Sequence, residues 1–370
     1  MSAVHAAALP RRAVDFRSVA FWCMIAVSAF GVWTLKRNMV PAMLAFPASA
    51  ALNVAVMLAC LAVGVWLARR VMRPVQAPPW SGTWLALMWG GLAACGLAVV
   101  MNTRLLSVWS QVLGLEASAS WAAALTAPLN EEAVKVAGVV LLAAVSTRLV
   151  RSAADGLVYG ALVGFGFQIV ENFTYGLNGI VLGGGVEPFA VSFQTLWIRI
   201  VLTGIGSHWA MSAVAGAGIG YLVSASGRSA ARRVWVAVGC MLLAMGMHFL
   251  FDSPILGGIA GTLAKPLINF AVVMAVYVVV RRRFRARWAE VSAEETAVGA
   301  LTEDEARSLS RRGSRRRHLR AFKGPDRTAQ AHVQALQLAL LEERIPRRLP
   351  AGAARPWREA VAAARPVSGT

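Results

Sequence analysis

Apolar residues occupy this chain in blocks too long and unbroken to be the stripe of a surface helix. Blocks near 18–35, 48–68, 83–101, 127–147, 153–176, 203–223, 234–252 and 264–280 each run about the 17–25 residues that cross a bilayer. Helices are predicted throughout, because a backbone in lipid must satisfy its own hydrogen bonds. The expected fold class is all-α: a polytopic membrane bundle of about eight transmembrane helices over 18–280. A short segment, 1–17, precedes it and a tail, 281–370, follows. The first block, Val19–Leu35, follows arginines as a signal peptide would. It ends at Lys36 and Arg37 with no small-residue cleavage site, so a retained first span is expected.

Composition agrees with the pattern. Of 370 residues, 57% are hydrophobic and only 15% charged, outside the range of an ordinary soluble domain. Lysine occurs only at 36, 135, 265 and 323, so the net charge of +19 is almost entirely arginine. Most of that arginine borders the apolar blocks, which points to membrane lipids and topology and away from a specific nucleic-acid partner. Arg11, Arg12 and Arg17 precede the first span, and Arg69, Arg70 and Arg73 follow the second. Arg148 and Arg151 follow the fourth, Arg228, Arg232 and Arg233 the sixth, and RRRFRAR opens the tail. The opposite loops hold only Lys36, Arg37, Arg104 and Lys265. Both termini are therefore expected in the cytoplasm. The basic tail is expected to be partly disordered, with one short amphipathic helix in AQAHVQALQLALLEER. Cys23, Cys60, Cys95 and Cys240 lie within apolar blocks without CxxC spacing and read as packing residues.

The polar residues inside the blocks are few. APLNEEAVK at 127–135 places Glu131, Glu132 and Lys135 in a predicted span, where each charge costs about 2.5–3.5 kcal/mol near the bilayer centre. Glu171, His208 and His248 are similarly placed, and Asp252 follows His248 by four residues. Thr126 and Pro128 resemble a helix start, which puts both glutamates about 6–9 Å inside the outer end at 1.5 Å per residue. Counted the same way, Glu171, His208 and His248 reach a similar depth on three other helices. Faces agree with depth. Gly156, Gly160 and Gly164 form a small-residue ladder in register with Glu171, and His208, Ser212, Gly216 and Gly220 form a second. Lys135 is spaced to pair with Glu131, and Asp252 to orient His248. A single such residue can be structural, but five converging on one level mark a functional site.

Other motifs carry less. Ser207 beside His208 suggests a nucleophile and base, but neighbouring helical residues point about 100° apart. No HExxH zinc motif occurs, and the NFT sequon at 172–174 starts inside a span. Arg199, in the amphipathic lead-in FQTLWIRI, reads as an interfacial anchor.

EEAVK at 131–135, FQIVE at 167–171, His208 in SHWAMSA and HFLFD at 248–252, with the lead-in DGxxYGxxxGxGF at 155–167, resemble the PrsW family of intramembrane proteases. That family is similar to the CAAX prenyl endopeptidase and bacteriocin-processing superfamily. The resemblance covers about 83–255. Glu171 stands where the wider superfamily has histidine, and Lys135 where it has arginine, both as in PrsW. The resemblance implies an endopeptidase of the bacterial cell membrane that cuts a membrane-anchored protein substrate near its extracytoplasmic side. In PrsW itself the substrate is an anti-sigma factor.

Two chemistries fit these residues. In one, zinc or another divalent metal is held by His208, His248 and one or both of Glu171 and Glu132, and acidifies a water. In the other, Glu131 activates water with Glu171, while His208 and His248 stabilise the oxyanion. The superfamily resemblance tilts the choice toward the glutamate chemistry. An ion- or proton-coupled transporter is the rival class, and would show inverted repeats and broken helices. A non-catalytic immunity or scaffold relative is the other.

Overall fold

The computed structural model describes residues 14–72, 75–224, 227–322, 326–347 and 351–365. His5, Arg11, Arg12, Arg73, Lys323 and most of the 1–17 segment lie outside the described residues. Every regular element among the described residues is helical. In chain order they are α1 Val19–Ala45, α2 Pro47–Leu67, α3 Trp80–Met88, α4 Cys95–Val145, α5 Ala153–Leu182, α6 Pro188–Trp197 and α7 His208–Ser224. Then come α8 Ala230–Asp252, α9 Gly258–Ala297, α10 Glu303–Leu309, α11 Arg312–Ala321, α12 Arg327–Arg347 and α13 Arg355–Ala364. Six segments of this set are long and apolar enough to cross a membrane, and a seventh if α6 and α7 count as one bent span.

One of the six, Trp80–Val145, is 66 residues long and holds the first half of the site. A π-helical turn, Trp89–Ala94, joins α3 to α4, and α4 breaks at Gly114 with φ 76° and ψ 167°. That conformation is open to glycine and strained for other residues. The chain doubles back there: Trp89 Nε1 donates to the Val134 carbonyl at 2.8 Å, and Asn102 Nδ2 donates to Glu131 Oε1 at 2.8 Å.

The helix start expected at Thr126 and Pro128 is not present. The helix already runs through both, with Pro128 in its interior and the Thr126 hydroxyl buried without a partner. Glu131 and Glu132 therefore sit in mid-helix, far from the partial positive charge of a helix N-terminus, and their charge is met by side chains instead. Proline in mid-helix costs a backbone hydrogen bond.

The two small-residue ladders pack against each other. A Cβ on Gly160 would stand 2.1 Å from the Ser212 carbonyl oxygen, and one on Gly164 2.3 Å from that of His208. Those separations forbid any side chain, so α5 and α7 approach backbone to backbone. The N-cap Ser152 fixes where α5 begins: its hydroxyl accepts from the Asp155 amide at 3.1 Å.

The segment after 280, expected as a largely solvated tail, folds upon itself in its described residues. Trp288, Val291, Leu301, Leu309, Leu338 and Leu341 form a small core with Val75 of the loop before α3. Arg344 is paired with Glu294 and Glu295, and Arg358 Nε lies 2.7 Å from Glu295 Oε2. The tail meets the bundle at one end, through Arg315 Nη2 to the Val75 carbonyl at 3.2 Å and Arg151 to Glu342 at 3.6 Å. The loop after α2, the loop between α4 and α5 and the exit of α9 thus lie together, and all three are arginine-rich.

Candidate active site

Far along the bundle from those arginines, α4, α5, α7 and α8 bring together the residues singled out in the sequence. Glu131, Glu132, Lys135, His208 and His248 are all buried. Lys135 Nζ is the hub: it donates to Glu131 Oε2 at 3.2 Å and Glu132 Oε1 at 2.9 Å, and lies 2.9 Å from His208 Nδ1. It also stands 3.9 Å from the centre of the Phe167 ring. The i, i+4 spacing predicts Glu131 as its partner, and Lys135 holds Glu132 as well.

Each imidazole has one nitrogen on an outer carboxylate and the other on the Glu131 side. His208 Nε2 is 2.7 Å from Glu171 Oε2, while Nδ1 faces Glu131 Oε2 at 3.9 Å. His248 Nδ1 is 3.0 Å from Glu132 Oε1, while Nε2 faces Glu131 Oε2 at 3.8 Å. Asp252 Oδ2 is also 3.3 Å from His248 Nε2. The rings meet edge to face, 5.1 Å between centres. On His208 the Glu171 carboxylate at Nε2 fixes the tautomer and aims the Nδ1 lone pair inward, as carboxylates do for metal-ligating histidines. On His248 Glu132 takes Nδ1, and the inward Nε2 faces both Asp252 and Glu131.

His208 is the first residue of α7, and a break separates it from α6: a π-helical turn Ile198–Leu202, a 3₁₀ turn Gly204–Gly206, then Ser207. The two halves bend by 49°. Asn269 on α9 closes the break, its Nδ2 donating to the Gly206 and Met247 carbonyls at 3.1 Å each. A broken helix was an expectation attached to the transporter reading. Here it sets the first residue of a helix, His208, against Glu171.

The structure corrects the reading of Arg199 as an interfacial anchor. Its guanidinium is paired with Glu171, donates from Nε to Asn172 Oδ1 at 2.7 Å, and lies over the Tyr175 ring at 3.9 Å. Asn172 is thus buried and occupied, in keeping with the discounted sequon. Two residues escaped the sequence altogether. Asn102 donates to Glu131 Oε1, and Asn130 Nδ2 donates to Asn102 Oδ1 at 3.3 Å. Neither is charged, and a lone amide at the end of an apolar block gives little signal. Ser212, noted for its size, also donates to Glu132 Oε2 at 3.3 Å.

Among the described residues, Glu131, His208 and His248 form a group able to hold a metal ion, each offering one ligand atom within 4.8 Å of the others. Two tests support the fit. Two imidazoles and a carboxylate are the donor set of catalytic divalent sites. Among the described residues, Glu131, Glu132, Glu171 and Asp252 also face no lysine or arginine other than Lys135 and Arg199, so two negative charges have no cation when both imidazoles are neutral. A divalent ion balances them.

The model of the PrsW family intramembrane metalloproteases matches residues 78–281 of this chain, more than half its length. No curated protein and no solved structure gives a match. With several helices apolar enough to span a bilayer, the chain is a multi-pass membrane protein. The family's metal dependence agrees with the donor cluster and displaces the tilt toward a metal-free glutamate chemistry. The chain belongs to the PrsW family of intramembrane metalloproteases, and is a membrane-embedded peptidase.

Proposed function

We propose that the protein hydrolyses a peptide bond of a membrane-anchored protein, of the anti-sigma-factor kind, at a divalent metal held by Glu131, His208 and His248. The observation that carries this is the orientation of both imidazoles toward Glu131 Oε2, each with a glutamate on its other nitrogen and Asp252 beside the inward nitrogen of His248. When bound there, such an ion supplies Lewis-acid polarisation of the scissile carbonyl and a more acidic water.

The chain's own residues do the rest. Glu171 accepts from His208 Nε2 and is itself held by Arg199. Glu132 accepts from His248 Nδ1 and from Ser212. Both glutamates thereby keep the ring lone pairs aimed at the ion. Lys135 balances Glu131 and Glu132, and stands close enough to take up charge developing on the oxyanion. Asp252, with 23% of its side chain exposed against 0% for Glu132, is the carboxylate nearest the solvent. From Oδ2 it takes a proton off the attacking water and returns it to the leaving amine.

The break at Gly114 divides Trp80–Val145 into two arms, and α6 with α7 makes one bent span. Eight spans result, with both termini on one side. The arginine-rich loops gathered at one end of the bundle support a cytoplasmic assignment for that end, and so an extracytoplasmic depth for the site. The membrane is the cell membrane of a bacterium.

One observation favours a metal-free alternative: Lys135 Nζ lies 2.9 Å from His208 Nδ1, on the lone pair an ion needs. Co-expression of a tagged single-span reporter separates the possibilities. Glu131→Gln, His208→Ala and His248→Ala are expected to abolish cleavage while the proteins still insert. Full cleavage by Glu131→Gln would overturn the assignment. Cleavage that persists in strong chelator would select the metal-free form.

A further inference from the structure

At the arginine-rich end, well away from the active site, α7, α8 and α9 part to leave a cleft of about 770 Å³. Its two halves differ in chemistry. Arg228, Arg232, Arg283 and Arg287 line the mouth, and Tyr221, Val236, Cys240, Val276 and Val279 line the walls behind them. Arg232 and Cys240 are eight residues apart on α8, and Arg283 and Ala275 eight apart on α9. At 1.5 Å per residue, both walls therefore run about 12 Å from the charged rim into the apolar interior.

The charges at the rim are unbalanced. Glu290 is the one carboxylate among the described lining residues, and it lies 2.9 Å from Arg287. Arg228, Arg232 and Arg283 have no carboxylate within ion-pair distance among the described residues, and all three side chains are exposed. A soluble anion would neutralise them but leave the apolar walls bare. An acyl chain alone would cover the walls but not the charge. A ligand that does both carries a phosphodiester on an acyl tail, and basic pockets between membrane helices bind such headgroups.

We infer that the cleft between α7, α8 and α9 binds one anionic phospholipid of the surrounding bilayer, with its phosphate on Arg228, Arg232 and Arg283 and an acyl chain along Val236, Cys240 and Val276. The test uses the delipidated full-length protein in detergent. Thermal stability and lipid adducts in native mass spectrometry are read with phosphatidylglycerol, phosphatidylcholine or glycerol 3-phosphate. Phosphatidylglycerol is expected to raise the melting temperature and survive as a one-lipid adduct, while the other two leave both unchanged. Replacing Arg228, Arg232 and Arg283 by glutamine should weaken retention about fivefold per residue, or about 1 kcal/mol each. Ala275→Trp, which fills the apolar half and keeps every arginine, should also lose the adduct. If the triple variant does not fold, the tryptophan variant decides. Undiminished retention in either variant, an equal effect of phosphatidylcholine, or a full effect of glycerol 3-phosphate would overturn the inference. Because lipid retention is read without any cleavage, the outcome is independent of the peptidase assignment.

Discussion

Glu131 Oε2 stands between two imidazole nitrogens and an ammonium, and each neighbour makes a different demand on it. Exchange of Glu131 for Gln keeps the size, removes one ligand charge and leaves Lys135 held by Glu132. Its expected effect is loss of cleavage by about 10²–10⁴-fold with insertion intact, measured on the single-span reporter. A positioning residue should cost less. Arg199→Gln frees Glu171 from its cation, and is predicted to lower cleavage or metal affinity about 10–100-fold, checked by metal titration beside the cleavage rate. Asp252→Asn removes the proposed proton carrier and should cost about 10²–10⁴-fold in cleavage while metal binding is kept. The charged members of the site were legible in the sequence because an ionisable residue in an apolar block has few structural reasons to be there. Asn102 and Asn130 were not, since an uncharged amide in such a block has a common structural use, hydrogen-bonding between helices. Arg199 was hidden differently. Its partner Glu171 lies 28 positions away, and no local spacing reports a contact at that range.

At the scale of elements, the α5–α7 contact sets the distance between Glu171 and His208. Gly160→Leu would drive a side chain into the Ser212 backbone, where a Cβ alone already stands at 2.1 Å. Overpacking of that kind costs about 1–3 kcal/mol or more, so cleavage and melting temperature should fall together. Gly246→Ala on α8 meets nothing within 4 Å and should leave both unchanged. Melting curves of the two variants in one detergent check the pair. The ladders were readable as i, i+4 repeats of small residues, because that pattern has one dominant use in membranes. The register of α4 was not. Thr126 and Pro128 carry the signature of a helix start, yet the helix already runs on from the break at Gly114. In an apolar chain an unmade helix hydrogen bond is costly whichever conformation is adopted, so a local stop signal is overridden by the need to stay helical.

The whole molecule sorts its charges by end: arginines with the folded tail at one, the acid–imidazole cluster toward the other. Buried ion pairs hold the tail's own fold together, so Arg344→Ala combined with Arg358→Ala should strand Glu295, whose side chain is wholly buried. Breaking such a pair from one side costs about 3–5 kcal/mol. Limited proteolysis after residue 281 should then release the tail from the variant and not from the parent protein. Composition alone had suggested a solvated tail, because high arginine content masks the sparse leucines of α12 that form its core with Trp288 and Val291. The peptidase chemistry depends on three helices, α4, α7 and α8, delivering Glu131, His208 and His248 to one ion. Its most direct test is elemental mass spectrometry of purified, cleavage-competent protein, run beside the rate of reporter cleavage. About one divalent ion per chain is predicted, lost together with cleavage in His208→Ala and His248→Ala and restored to the parent protein when metal is returned after chelation. A metal-free chain that still cuts the reporter at the full rate would contradict it.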